Sequence, residues 1–324
     1  MASLEGKDIF LSPDGRVYHL GLKASELSPL IVTVGSEKRA ALLANHFLTD
    51  VKSIRSDRQF TTFTGTYRGE KKISVISIGM GAPMMDFMLR EASFLLGGGP
   101  MAVVRIGTCG ILEKTTPPGT LMLVDKSMYA YRNYCFFDGG VSVDVKTGAV
   151  SPLECKSSKE QSYLLSQPIA ADPQLTELIE EGISKSGENA KMKKGLNCSG
   201  ESFFSCQGRS CPPWNDENRD LVDQFSILGV HSLEMETHQL FHLMHHRGRM
   251  HDENEEGQNQ GGRRMSRAAA VMVGIVNRSN PEFTAHVTDE DQEKAVLVAG
   301  KAVLDALVSL PEFTDTPPKC VVPA

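Results

Sequence analysis

No apolar run in this chain comes near the ~20 residues that a membrane span requires. The first residues, with Glu5, Lys7 and Asp8, lack the apolar core of a signal peptide. No membrane partner is expected. Positive charge is not in excess either: the net charge is −6, so no global basic field would recruit nucleic acid. Any anion site must be built locally, against the overall sign. The seven cysteines are an odd number without a regular framework, and Cys198, Cys206 and Cys211 lack C-x-x-C spacing. A disulfide scaffold and a zinc site are therefore not expected, and the setting is a reducing cytoplasm. No internal repeat is apparent, and no His-Glu-x-x-His motif accompanies His238, His242, His245 and His246. Leu240, Phe241 and Leu243 interleave with those histidines, which suits an amphipathic helix with a wet face better than a metal site.

What is present suffices for a large core: 324 residues, 40% hydrophobic, with 16 prolines and 29 glycines. Leu30–Val34 reads as a strand ending at Gly35, and Glu37–Phe47 as a helix on the spacing of Ala40, Leu43, Ala44 and Phe47. Residues 60–67 and 72–78 read as a hairpin leading into Gly79-Met80-Gly81, and a helix from Met84 to Leu96 stops at three glycines. Further strands are expected at 101–104, 120–124 and 268–276, and helices at 172–185 and 293–310. This alternation predicts an α/β fold, a mixed sheet wrapped in helices within one domain over 1–324. Residues 136–166 read as a long loop or short strands. The polar stretch 247–267 predicts a disordered surface insertion, with an irregular tail after 311.

Several residues could carry chemistry. Arg105-Ile106-Gly107-Thr108-Cys109-Gly110 follows the buried strand Met101–Val104. Arginine, threonine and backbone N–H groups in a glycine-rich turn at a strand's carboxyl end suit an oxyanion. An edge strand with a surface arginine and a plain glycine turn fits the local pattern equally well. Arg39 falls in the first turn of the helix after Gly35, where N–H groups already favour an anion. Arg58 precedes the strand beginning at Phe60. Glu234-Met235-Glu236 opens a helix, and carboxylates two apart do not share a helix face, so one is expected to be structural and one ligand-facing. Phe203, Gln207 and Arg209 offer a stacking ring, an amide and a guanidinium, or else an ordinary loop with a buried ring.

In order along the chain, these segments resemble the nucleoside phosphorylase family, and within it the uridine phosphorylases. The anchors are His19-Leu20-Gly21-Leu22, Gly35 to Arg39, Arg58 to Thr62, Gly79 to Pro83, Arg105 to Gly110, Phe203 to Arg209, Glu234 to Glu236 and Ile275 to Arg278. The likeness runs from Val17 to about Leu310. It implies a central mixed, partly barrel-like sheet and reversible phosphorolysis of uridine to uracil and ribose 1-phosphate. Inorganic phosphate is then a co-substrate, and no cofactor or metal is required. The resemblance implies phosphate bound by Gly35, Arg39, Arg105 and Thr108, with Arg58 supplied by a neighbouring subunit. Ribose would lie over Met235 and near Thr108, its hydroxyls donating to Glu236, and His19 would reach the 5′-hydroxyl from the neighbour. The base would lie against Phe203, held by Gln207, Arg209 and Arg278, and Glu234 would position its neighbours. Catalysis would rest on Arg105, Glu236, Gln207 and Arg209. The assembly implied is a homodimer or a ring of dimers. Purine enzymes of the family set an aspartate against the base, and residues 200–209 hold none. Gln59 stands where some members place a glutamate for an interface cation.

Overall fold

The computed structural model of the protein describes residues 9–153, 161–187, 190–247, 266–283 and 286–313. Most of the expected insertion at 247–267 and of the tail after 311 lies outside the described residues. The buried β1 (Leu30–Val34) leads to α1 (Glu37–Phe47), whose N-cap Ser36 accepts the Arg39 N–H. β2 (Leu48–Arg55), β3 (Thr61–Tyr67) and β4 (Lys71–Ser77) form an antiparallel meander. α2 (Ala82–Leu95) starts after Gly81 with a proline in its first turn. β5 (Met101–Ile111) and β6 (Leu121–Arg132) follow, then α3 (Tyr134–Asp138) and a separate hairpin of β7 (Gly140–Val143) and β8 (Val150–Leu153). β9 (Tyr163–Leu165) and β10 (Ile169–Ala170) pair with β6 ahead of α4 (Pro173–Ser184), which Asp172 caps. The chain continues through β11 (Met192–Gly200), α5 (Leu221–Ile227), β12 (Val230–Glu234), α6 (Thr237–His246), β13 (Ser266–Asn277) and α7 (Asp289–Val308).

Apart from β7 and β8, these strands share one mixed sheet. β13 runs parallel to β5 on one side and antiparallel to β6 on the other. The path β6–β11–β12–β5–β13 therefore returns to β6 as a closed ring. From β5 an open wing extends through β1, β4, β3 and β2. One apolar layer joins β1, β5 and β13 to α1, α4 and α7, and a second joins the sheet to α2 and α6. This is the mixed, partly closed sheet wrapped in helices that the sequence implied.

Two local expectations need correction. Arg105–Gly110 is no turn, because β5 runs on to Ile111 with β13 paired along its whole length. Its glycines serve close packing: a Cβ on Gly107 would overlap Met272 Sδ, and one on Gly110 would lie 2.9 Å from Arg278 Cδ. Glu234 does not open a helix but closes β12, and α6 begins only at Thr237. β2 and β11 were not visible in the sequence, because β2 is an exposed edge and β11 mixes lysines with buried polar residues. The turn-rich 136–166 resolves, where described, into the end of one short helix followed by short strands.

Candidate active site

Arg105 is the hub. It lies mid-strand in β5, 4% exposed, where an unpaired charge would lose its hydration without return. Both carboxylates of the Glu234-Met235-Glu236 segment meet it. Arg105 Nε lies 3.2 Å from Glu234 Oε2, and Nη2 pairs with Glu236 Oε2. Both carboxylates converge on one guanidinium because the segment bends between a strand end and a helix start. Their environments still differ. Glu234 accepts from Asn197 Nδ2 at 2.9 Å, from the Ser199 hydroxyl and from the Glu236 N–H at 2.9 Å. Burial pushes Glu234 up, but Arg105 and these donors outweigh it, so its carboxyl sits below the usual range. Glu236 accepts from the Gly81 N–H, yet burial and the charge on Glu234 outweigh Arg105 and raise it. Of the two, Glu236 is the group that protonates first.

Arg39 approaches from the first turn of α1. A Cβ on Gly35 would lie 3.4 Å from its Nη2, so the Gly35 backbone rests against the guanidinium. Burial, with Arg105 nearby, lowers the Arg39 pKa to about 10, while Glu236 partly offsets the fall. Gly79 and Gly81, with φ of 76° and 103°, turn the chain from β4 into α2 and aim the Gly81 N–H at Glu236. Arg39 Nη1 and Arg105 Nη1 are buried donors without an acceptor. Buried donors are normally paired, so two orphans on neighbouring cations mark a place for an anion. Thr108 is partly buried on the same strand as Arg105, and Met235 is partly buried between the two glutamates.

The 203–209 loop sits beside this cluster. Gln207, 2% exposed, donates to the Glu234 carbonyl at 3.2 Å and accepts from Arg209 Nη1 at 2.6 Å. The Arg209 guanidinium lies 3.9 Å from the Phe203 ring centroid, which leaves Phe203 half exposed. Burial, with Arg278 nearby, lowers Arg209 to about 10, and burial lowers Arg278. Arg278 Nη1 is a third buried donor without an acceptor. Asn218 ties the loop down by donating to the carbonyls of Ser205 and Arg209, each at 3.0 Å.

Two predicted residues stand apart. Arg58 is exposed and pairs with the Tyr18 hydroxyl and ring. His19 contacts Glu91 on α2 and stacks on Phe87. Neither bonds to the Arg105 cluster among the described residues. The histidines of α6 form a stack instead of a metal cage: His238 lies 5.9 Å from His242 and 5.4 Å from Tyr129, and bonds Ser166. Among the described residues no group of three His, Cys, Asp or Glu side chains could hold a metal ion. Asn197, Ser199, Asn218 and Glu91 carry no local signal in the sequence.

The phosphorylase superfamily profile matches residues 29–308, and the chain belongs to that superfamily. Within it, the fold is similar to a narrower group. A chain from a study of two uridine phosphorylases of the oomycete Phytophthora capsici aligns with a TM-score of 0.75 and 28% identity, over 93% of this chain and 97% of that one. A nucleoside phosphorylase of Trypanosoma brucei, reported to show uridine phosphorylase activity, shares the fold with a TM-score of 0.70, over 93% of this chain and all of that one, at 22% identity. A DeoD-type purine nucleoside phosphorylase of Bacillus thuringiensis is 35% identical over 96 residues, 30% of this chain and 40% of its own length. The chain thus spans less than half the length of the curated relatives it matches. No described helix is long and apolar enough to cross a membrane.

Proposed function

We propose that the protein catalyses reversible phosphorolysis of uridine, giving uracil and ribose 1-phosphate. The observation that carries this is the pair of buried, acceptorless nitrogens, Arg39 Nη1 and Arg105 Nη1, beside two buried carboxylates. A phosphate dianion supplies the missing acceptors, with Gly35 and Thr108 completing its cradle. Water as nucleophile would leave both cations unanswered. Ribose lies over Met235 and donates its hydroxyls to Glu236. A phosphate oxygen bonds to C1′ as the C1′–N1 bond breaks, and the electron pair leaves on uracil, spread over its carbonyl oxygens. Gln207, Arg209 and Arg278 donate to that growing charge, and Glu236 favours the cationic ribosyl group. Phosphate is a co-substrate, and neither a cofactor nor a metal ion takes part, so dialysis against EDTA leaves the rate unchanged.

A purine or broad-specificity activity is the second reading, favoured by the names of the curated relatives. Two cationic donors, Arg209 and Arg278, suit the two carbonyl oxygens of uracil better than a purine ring. The deciding assay measures uracil and ribose 1-phosphate from uridine with and without phosphate, with inosine and thymidine in parallel. Uracil released only with phosphate supports the reading. Equal release without phosphate overturns it, and faster turnover of inosine transfers it to the purine class.

A second copy is proposed to complete the site, since Arg58 and His19 sit on a surface with exposed Phe10, Tyr18 and Phe87. An isolated monomer should be inactive, and light scattering that finds an active monomer under assay conditions would refute this. The absence of a cysteine framework supports a cytoplasmic setting, which fractionation checks.

A further inference from the structure

Glu91 lies on α2 and is 4% exposed. Neither Lys nor Arg neutralises it among the ion pairs of the described residues; its partners are N–H groups of the segment that carries His19. Oε2 accepts from the Leu20 N–H at 2.8 Å and the His19 N–H at 3.1 Å, while Oε1 lies 2.9 Å from the His19 amide nitrogen. Oε1 also lies 2.6 Å from His19 Nδ1. An ionised carboxylate only accepts, so the ring proton must sit on Nδ1. Phe87, one turn earlier on the same face of α2, stacks on the imidazole with centroids 4.0 Å apart and planes 12° apart. Ring plane, rotamer and tautomer are therefore all fixed from α2. Nε2 is left as the free atom, with no hydrogen-bond partner among the described residues.

We infer that Glu91 is a positioning residue that locks His19 as its Nδ1–H tautomer and so presents Nε2 as an acceptor for the 5′-hydroxyl of the nucleoside. The inference rests on the reading above, in which His19 serves the sugar. It assigns a specificity role to a residue that touches no substrate: an Nε2 acceptor takes the proton of a free 5′-hydroxyl, which a 5′-deoxy sugar lacks. The other tautomer would turn a donor toward the same oxygen, and the hydroxyl would then have to accept instead of donate.

Glu91→Gln tests this with little change in shape. Backbone N–H groups cannot change sign, so the Gln oxygen stays with the His19 and Leu20 amides and its NH2 faces the ring. The imidazole must then move its proton to Nε2. In the wild-type enzyme, nitrogen NMR should show a protonated Nδ1 and a bare Nε2 for His19, and E91Q should show the reverse. The ratio of kcat/KM for uridine to that for 5′-deoxyuridine should fall in E91Q, by at most about tenfold, the worth of one hydrogen bond, since a hydroxyl turned round to accept from Nε2–H recovers part of it. In a His19→Ala background the same substitution should leave that ratio where H19A alone puts it. Equal losses on both nucleosides, or an unchanged His19 tautomer, overturn the role of Glu91. A wild-type enzyme that treats both nucleosides alike overturns the reading of His19 and the specificity role together, and the nitrogen spectrum then shows whether the tautomer lock itself stands.

Discussion

Arg39 and Arg105 bring the same charge to the same pocket but leave different things behind when removed. Arg105→Ala strands two buried carboxylates, Glu234 and Glu236, that face each other across the vacated guanidinium. Such a loss costs about 3–5 kcal/mol. Arg39 makes no ion pair with a carboxylate among the described residues, and its Nη1 has no acceptor, so Arg39→Ala removes a buried cation that the unliganded fold does not use. Its stability should stay within about 0.5 kcal/mol of wild type or rise. Both substitutions should raise the KM for phosphate at least tenfold. Urea midpoints beside phosphate kinetics check this, and an Arg39→Ala protein destabilised as much as Arg105→Ala would refute the division of roles. Gly35 and Arg39 were legible in the sequence because they stand where a strand hands over to a helix, and Arg105 because a charge inside an aliphatic run carries its own local signal. Asn197 and Ser199 were not. Their meaning depends on Glu234, and the Ser199 contact spans 35 residues, which no local window contains.

At the scale of elements, buried strands such as β1 and β13 declared themselves by aliphatic runs, and α1 and α4 by their spacing. β5 misled for a physical reason: glycine is a turn residue by propensity, but in β5 it is a space that neighbours fill. Gly107→Ala would drive a Cβ into Met272 Sδ, where β5 pairs with β13. A cost of about 1–3 kcal/mol is expected, and trimming the neighbour with Met272→Ala should recover part of it. Thermal unfolding of the single and double variants tests this, and additive losses would show that the clash is elsewhere. α6 carries a pH dependence of its own. Burial, with His242 as a lesser contributor and Glu234 opposing, lowers His238 from 6.5 to about 4. Below pH 6.5 the unfolded chain takes a proton that the folded chain refuses, so stability is present above that pH and drains as pH falls toward 4. Between pH 7 and 5 the loss from this group is about 2 kcal/mol. His238→Phe keeps the stacking on Tyr129 and should lose less by about that amount in urea titrations. A variant with the wild-type acid sensitivity would place the titration on another group.

The whole molecule is negative, with a net charge of −6, yet Arg39, Arg105 and Arg278 each keep a buried guanidinium nitrogen that no acceptor answers. Long-range attraction cannot draw phosphate to such a surface, so the affinity must come from short-range, desolvated contacts inside the pocket. The unliganded fold bears an electrostatic cost that a dianion removes. Because phosphate binds the folded chain and not the unfolded one, it should stabilise by about 2.7 kcal/mol at a hundredfold excess over its Kd. For a chain of this size that corresponds to a rise of about 5 °C in Tm. Sodium chloride at matched ionic strength should produce little of it, since a monovalent ion cannot bridge Arg39 and Arg105. Arg39→Ala should abolish most of the shift while leaving the phosphate-free Tm near wild type. An equal rise with chloride would reduce the effect to general screening. A full rise in Arg39→Ala would move the anion away from the pocket that β1, β5 and the first turn of α1 build together.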